Sequence, residues 1–184
     1  MSSKHKILAI CGSTNPASIN KSLIHAIADL TVDYFDLRIF EGIAQIPHFN
    51  PDLDNETPPV AVVDFRRRLQ EAEGILICTP EYAMGVPGTL KNAIDWIVSS
   101  CGFCYKPVAL ITASTHGLKG HQSLLETLRI IESDITEETQ LVISFVKAKV
   151  SKNSQITDLE TREKVMAVVL ALKEMIKKKQ AITG

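Results

Sequence analysis

Short apolar runs alternate with longer amphipathic segments along this 184-residue chain, and this alternation most constrains its fold. The short runs match buried strands, whereas the longer segments carry apolar residues at helical spacing. The predicted strands cover residues 6–11, 33–40, 74–79, 107–113 and 140–147, and the predicted helices cover residues 19–30, 58–72, 87–100, 120–133 and 158–178. Because such alternation produces right-handed βαβ units, we expect one parallel sheet with helices on both faces.

Length, composition and charge narrow the class of protein. A hydrophobic content of 45% over this length is enough for one full core, so we expect a single domain over residues 1–184. The formal net charge of −1 argues against nucleic acid or an anionic membrane surface as partner. The longest apolar runs are too short to span a bilayer. Residues 1–5 lead straight into the first strand without a signal-peptide pattern, so a cytoplasmic protein is expected.

The four cysteines do not suggest a disulfide framework. Cys11 and Cys78 lie in apolar strands and are predicted to be small core residues. Cys101 and Cys104 have the spacing of a redox or metal pair, but they follow a predicted helix instead of opening one. Since no second Cys or His pair completes a metal site, we predict no metal and interpret the pair as a helix-end turn with Gly102 as the stop.

The segment from Thr79 to Trp96 is the most specific motif. It follows a continuous apolar strand, and open α/β sheets bind ligands at the carboxyl ends of such strands. It reads Thr-Pro-Glu-Tyr-Ala-Met-Gly-Val-Pro-Gly and then Thr-Leu-Lys-Asn-Ala-Ile-Asp-Trp. This resembles the flavin-ring loop of the NADPH-dependent FMN reductase family, whose flavodoxin-like members are NAD(P)H quinone, chromate and azo reductases.

A second motif, residues 12–20, joins the first strand to the first helix. The free N–H groups and positive dipole end of a helix N-terminus form an anion site, to which Ser13, Ser18 and Asn20 add uncharged donors. The motif lacks the lysine of a P-loop and the glycine triplet of a dinucleotide fingerprint, so the phosphate monoester of FMN fits better than a pyrophosphate. The resembling family has Gly-Ser-x-Arg here, followed after two residues by Ser-x-Asn.

A third loop, residues 113–121, follows the fourth strand. It is similar to the Ser- and Gly-rich loop that passes the flavin ring in the same family, which implies Ser114 and Gly117 as neighbours of the cofactor. His116 is a candidate proton donor on the substrate side, against the alternative of an exposed loop histidine.

The resemblance covers nearly the whole chain and implies a fold and a site. The implied fold is a flavodoxin-like, doubly wound, five-stranded parallel sheet of order 2-1-3-4-5, with FMN at the switch point between strands one and three. The implied cofactor-binding residues are Ser13, Asn15, Ser18, Ile19, Asn20, Pro80, Glu81, Tyr82, Ala83, Met84, Gly85, Ser114 and Gly117. No catalytic side chain is expected, because the flavin itself carries the hydride chemistry. Glu81 is therefore expected to be structural or interfacial.

The implied function is that of an FMN-dependent oxidoreductase. Two electrons would pass from NADPH or NADH through bound FMN to a quinone, an azo compound, a metal oxyanion or free flavin. One alternative is an FMN-binding electron-transfer protein without NAD(P)H turnover, which the near-neutral charge disfavours. The other is a non-enzymatic sensor or interaction protein on a degenerate flavodoxin-like fold. Its support is that Asn15 and Ala83 stand where the family usually has Arg and Asn.

The third predicted helix suggests a partner surface. Trp96 falls opposite the stripe predicted to enter the core, which comprises Leu90, Ala93, Ile94, Ile97 and Val98. An exposed tryptophan on such a helix indicates contact with another chain. Since this helix helps form a dimer in the resembling family, we expect a homodimer or a dimer of dimers through residues 87–100. The run Arg66–Arg68 is interpreted as the solvated face of a helix, with binding of a dinucleotide phosphate as the alternative.

Overall fold

A five-stranded parallel sheet in the order 2-1-3-4-5 forms the centre of the computed structural model, which describes residues 4–183. This confirms the predicted flavodoxin-like class. The strands are β1 (His5–Cys11), β2 (Phe35–Ile39), β3 (Gly74–Thr79), β4 (Val108–Ala113) and β5 (Gln140–Ile143). The helices are α1 (Ile19–Leu30), α2 (Val60–Glu71), α3 (Gly88–Asp95), α4 (Leu118–Ile130) and α5 (Leu159–Thr183).

Two hydrophobic cores lie on the opposite faces of the sheet. Along β1, Leu8 and Ile10 face one core, and Ile7 and Ala9 face the other, as the two-residue period of a strand requires. Helices α2, α3 and α4 cover the first face, whereas α1 and α5 cover the second. The central strands β3 and β4 are buried along their whole length, as expected for parallel strands covered on both sides.

Two elements end four or five residues earlier than their sequence patterns predict. Strand β5 stops at Ile143 instead of residue 147, because Phe145 has a φ of 53° and opens a 3-10 turn. Helix α3 ends at Asp95 and is followed by turns. Cys101 has a left-handed φ of 50° in these turns, so the prediction that Gly102 is the stop is wrong. Gly102 is instead a close-packing position, since a Cβ there would lie 3.2 Å from Ile97.

The prediction that Trp96 is exposed is also wrong. Its side chain is 0% exposed, whereas Val98, which was predicted to enter the core, is 53% exposed. The connection between β2 and α2 packs over this side of α3: the indole Nε1 donates a hydrogen bond to the Pro47 carbonyl at 2.7 Å, and the Phe49 ring meets the indole edge-on at 5.1 Å. The helical period identified the side of α3 on which Trp96 lies, but not the loop that covers it.

Arg66 fastens this connection from the other side. Its guanidinium donates to the Trp96 carbonyl, to Asp54 at 2.7 Å and to Ser99 at 3.1 Å. Hydrogen bonds from Ser99 and Arg66 hold the pKa of the Asp54 carboxyl below its usual value. Arg66 is therefore a structural residue. The interpretation of the Arg66–Arg68 run as a solvated face is wrong for this arginine. Arg67 is exposed, as predicted, and pairs with carboxylates of its own helix.

Within residues 4–183, no helix combines the length and the apolar character needed to cross a bilayer.

Replacing Trp96 by Phe is expected to lower the free energy of unfolding by about 1–2 kcal/mol. The Pro47 carbonyl loses its indole donor, and the smaller ring leaves a gap in a packed core. Chemical denaturation of both proteins measures the difference. The control is Val98→Ala on the exposed side of the same segment, which should change stability by less than about 0.5 kcal/mol. Equal effects of the two substitutions would contradict the burial of Trp96.

Candidate active site

A cleft of about 1020 Å³ opens at the carboxyl edge of the sheet, where open α/β sheets bind ligands. Four connections line it. Three are the predicted loops after β1, β3 and β4, and the fourth follows β5. The lining residues are Ser13, Asn15, 17–20, 80–82, 113–115, 145–148 and 150–152. The three sequence motifs therefore meet at one place.

Most of the residues predicted to bind a cofactor line this cleft, and the others lie outside its lining. Those in the lining are Ser13, Asn15, Ser18, Ile19, Asn20, Pro80, Glu81, Tyr82 and Ser114. Ala83, Met84 and Gly85 form a turn outside the lining, Gly117 is buried at the start of α4, and His116 is exposed outside the lining. The ring of His116 lies 5.9 Å from that of Phe145, which does line the cleft.

The loop after β1 is built from uncharged hydrogen bonds. Ser18 is the N-cap of α1, and its hydroxyl accepts the N–H of Asn20 at 3.3 Å. The side-chain carbonyl of Asn15 accepts the N–H of Ala17 at 2.9 Å. The first turn of α1 contains no acidic residue. The positive end of this helix therefore faces the cleft without a carboxylate of its own to neutralise it.

Gly12 brings this loop against the end of β3. Its N–H donates to the Cys78 carbonyl at 2.9 Å. A Cβ at Gly12 would lie only 2.2 Å from the Thr79 hydroxyl, a distance that no side chain tolerates. The motifs at 12–20 and 79–96 thus touch at their bases, and glycine is required where they do.

The loop after β3 folds back on itself. Tyr82 and Gly85 exchange two backbone hydrogen bonds of 2.9 Å, and Ala83 and Met84 between them have φ values of 49° and 62°. Two consecutive left-handed residues are the signature of a type I′ turn. The turn directs Tyr82 into the cleft lining and leaves the side chains of Ala83 and Met84 outside it.

Glu81 ties this loop to helix α4. Its carboxylate accepts the N–H of Gly120 at 2.6 Å, in the first turn of α4, where free N–H groups and the helix dipole favour a negative charge. The loop and the start of α4 approach so closely that a Cβ at Gly120 would lie 2.7 Å from the Gly85 carbonyl oxygen. The geometry agrees with the expected structural role of Glu81.

Asn20 leaves a buried acceptor beside the cleft. The side chain is 2% exposed, and its amide nitrogen donates to the Ala113 carbonyl at 3.0 Å, which fixes the orientation of the amide. Its Oδ1 atom has no hydrogen-bond partner within residues 4–183. An unpaired buried acceptor is costly, so a ligand that brings a donor to this point gains free energy.

The fourth wall, residues 145–152, was missed from the sequence. Two backbone hydrogen bonds attach it to the third loop: Phe145 donates to the Thr115 carbonyl at 3.1 Å, and Val146 donates to the Ser114 carbonyl at 3.2 Å. The available signal was the polar break at Ser144 immediately after an apolar run, which marks the end of β5 at the same sheet edge. Because the predicted strand continues to residue 147, the sequence pattern assigns the start of this wall to β5.

The buried titratable groups near the cleft serve the scaffold. His121 and Thr112 share a hydrogen bond of 2.9 Å that joins α4 to β4, and burial lowers the pKa of this histidine. Burial raises the pKa of the Cys11 and Cys78 thiols, so both remain protonated core residues, as predicted. Within residues 4–183, no three His, Cys, Asp or Glu side chains come together as a metal site.

Comparison with known proteins identifies the family. Residues 5–148 match the family described as NADPH-dependent FMN reductase. This chain belongs to that family. It is therefore an oxidoreductase whose cofactor is FMN and whose co-substrate is NAD(P)H.

Relatives of this chain match it over most of their length. It is 30% identical to a 2-hydroxy-1,4-benzoquinone reductase of a Burkholderia species, over 86% of this chain and 88% of the relative. It is 28% identical to the NAD(P)H:quinone oxidoreductase of Solanum tuberosum, over 92% of each chain. The solved structure of FerB, a flavoenzyme NAD(P)H:(acceptor) oxidoreductase from Paracoccus denitrificans, shares the fold at a TM-score of 0.84 and 24% identity, over 95% of this chain and 98% of FerB.

The cleft suits FMN chemically. The loop after β1 offers uncharged donors at a helix N-terminus, which is the environment that a phosphate needs. The unpaired Oδ1 of Asn20 needs a donor, and the ribityl hydroxyls of FMN are donors whereas its phosphate oxygens are not. The volume of about 1020 Å³ is at the upper end for small-molecule sites.

Replacing Gly120 by Ala is expected to push the loop after β3 away from α4. The new Cβ meets the backbone oxygen of Gly85, which a side-chain rotation cannot relieve. We expect a loss of about 1–3 kcal/mol in stability, as for other overpacking substitutions, together with weaker FMN binding. Thermal unfolding and FMN fluorescence titration measure the two effects.

Gly88→Ala provides the matched control. Gly88 is also in the first turn of a helix at this edge, but a Cβ there meets no atom within 4 Å. The substitution should leave stability unchanged or raise it slightly, because alanine has less freedom to lose on folding. If the two alanine variants behave alike, the close approach of Gly120 and Gly85 does not hold the loop.

Proposed function

We propose that this protein binds FMN between the 13–20 loop and the 80–82 loop and reduces quinones with electrons from NAD(P)H. The observation that carries the proposal is that the uncharged 13–20 loop and the Pro-Glu-Tyr loop, residues 80–82, line a single cleft at the β1/β3 edge. Two relatives over most of the chain carry the names 2-hydroxy-1,4-benzoquinone reductase and NAD(P)H:quinone oxidoreductase, which supports a quinone as the acceptor.

The residues of the first loop have distinct proposed roles. The Ser18 hydroxyl and the N–H groups at the start of α1 hold the phosphate, with Ser13, Asn15 and Ile19 completing the loop. The unpaired Oδ1 of Asn20 accepts a hydrogen bond from a ribityl hydroxyl. This arrangement binds the cofactor through neutral donors, so the 13–20 loop supplies no positive side chain to neutralise the phosphate charge.

The ring end of the site is formed mainly by backbone. Pro80 and Tyr82 offer apolar surface, Glu81 holds their loop in place, and Ser114 lies at the opposite wall. Bound FMN supplies the hydride chemistry, so these residues need only orient the ring and keep water from it. The turn 83–85 and Gly117 support this wall without lining it.

Substrates reach the site from the open side of the cleft. His116 stays a candidate on this side, because its ring contacts Phe145 at the rim. Its proposed role is to donate a proton to the acceptor.

The proposal includes a homodimer in the cytosol. The cytosol keeps the free cysteines reduced. Closed symmetric dimers are the commonest assembly of soluble chains. The contact surface cannot use the Trp96 indole, which is buried within its own chain.

The function is tested directly with purified protein. We expect a yellow preparation, or quenching of added FMN fluorescence, and oxidation of NADH or NADPH that depends on added 1,4-benzoquinone. FMN binding without NAD(P)H oxidation would favour the electron-transfer alternative. Failure to bind FMN would favour the non-enzymatic alternative and reject the proposal.

Replacing Ser18 by Asp is expected to expel FMN without harming the fold. Aspartate caps a helix as well as serine does, so the apoprotein should keep its stability. Its carboxylate would face the phosphate dianion in a partly desolvated cleft, where repulsion amounts to several kcal/mol. We expect a dissociation constant at least a hundredfold higher, measured by FMN fluorescence quenching.

The matched control is Ser18→Asn, which has the same shape as the aspartate variant and also caps helices but carries no charge. It should bind FMN within a few-fold of the wild type. Equal FMN affinity of the Asp and Asn variants would show that Ser18 does not face the phosphate.

A further inference from the structure

The wall formed by residues 145–152 brings positive charge to a cleft whose other walls have none. Among the residues of 4–183 that line the cleft, Lys147 and Lys152 are the basic ones and Glu81 is the acidic one. The Glu81 carboxylate is already bound to the N–H of Gly120 at 2.6 Å. The balance of charge in the cleft therefore favours an anion.

Buried anchors hold the two lysines in this wall. Val146 and Val150 are 3% and 2% exposed and belong to the core shared by α1 and α5. Lys147 follows the first anchor within the 3-10 turn Val146–Ala148, and Lys152 follows the second by two residues. Because α1 and α5 cover the same face of the sheet, this connection runs beside the N-terminal loop of α1.

Neither lysine is occupied by a carboxylate. Within residues 4–183, no ion pair shorter than 4 Å involves Lys147 or Lys152. The lysine nearest the anion loop in sequence, Lys21, is different, since it pairs with Glu41 at 2.8 Å. The two cleft lysines are thus available to a ligand.

We propose that Lys147 and Lys152 recognise a phosphate monoester bound in this cleft. The proposal rests on the proposed function and adds the cations that the 13–20 loop lacks, since Asn15 stands where the resembling family usually has Arg. A lysine is a compact charge on a long, flexible stem, so two of them can reach a phosphate from the neighbouring wall. The phosphate is that of FMN or the 2′-phosphate of NADPH, which share this chemistry.

The first experiment compares FMN with riboflavin, which lacks the phosphate. Replacing both lysines by glutamine (K147Q/K152Q) should raise the FMN dissociation constant about tenfold and change that of riboflavin less than twofold. The FMN affinity should also depend less steeply on salt, because fewer charges are screened. The control is K149Q, which removes a charge from the same wall outside the cleft lining.

The second experiment identifies the other source of phosphate. If the lysines face the 2′-phosphate of NADPH, K147Q/K152Q should raise KM for NADPH about tenfold and leave KM for NADH and FMN affinity unchanged. Either pattern supports the proposal. Values within twofold of K149Q for FMN, riboflavin, NADPH and NADH overturn it, while wild-type FMN binding in the same experiment leaves the proposed function intact.

A wild type that fails to bind FMN rejects the proposed function instead. The lysines are then tested with inorganic phosphate alone, by calorimetric titration of wild type, K147Q/K152Q and K149Q. Weaker phosphate binding only in the double variant supports the lysine site, and equal binding by all three proteins overturns it.

Discussion

The side-by-side pairing of β1 with β3 is the constraint on which the rest of the site depends. Their parallel register sets Cys11 opposite Cys78, so the two strands end together and the loops that follow start in contact at Gly12 and Thr79. This adjacency is a consequence of strand order, because the chain leaves β1 to form β2 on the other side. A ligand-sized gap opens between β1 and β3, where the strand order reverses, and the two most informative motifs border it.

The parts that could be predicted from sequence were those decided by local pattern. A continuous apolar run predicted the observed bounds of β3, 74–79, and the helical period predicted those of α1, 19–30. Trp96 was misjudged because its burial depends on Pro47 and Phe49, which come from a distant connection with no periodic pattern. The wall at 145–152 was missed because the strand before it was read as too long, and a positive φ at Phe145 has no marker in a non-glycine sequence.

The walls of this cleft differ in the charged groups that they carry. The 13–20 loop contributes dipoles and neutral donors, and the carboxylate of Glu81 joins the 80–85 loop to α4. A negative group placed at a helix N-terminus is stabilised there, so Glu81, the acidic side chain of the lining among residues 4–183, acts as a structural tie. The helix dipole that favours an anion at the start of α1 thus also holds the scaffold together at α4.

The turn at Ala83 and Met84 gives the departure at position 83 a different meaning. Both residues are left-handed, a conformation that costs an ordinary L-residue roughly 1–2 kcal/mol and that asparagine adopts more readily than alanine. Ala83 lies outside the cleft lining, so the loss of the family's usual asparagine is felt in the conformational preference of the turn. The 80–85 loop is consequently held in a backbone shape that its own residues disfavour, and its neighbours, above all α4, must impose that shape.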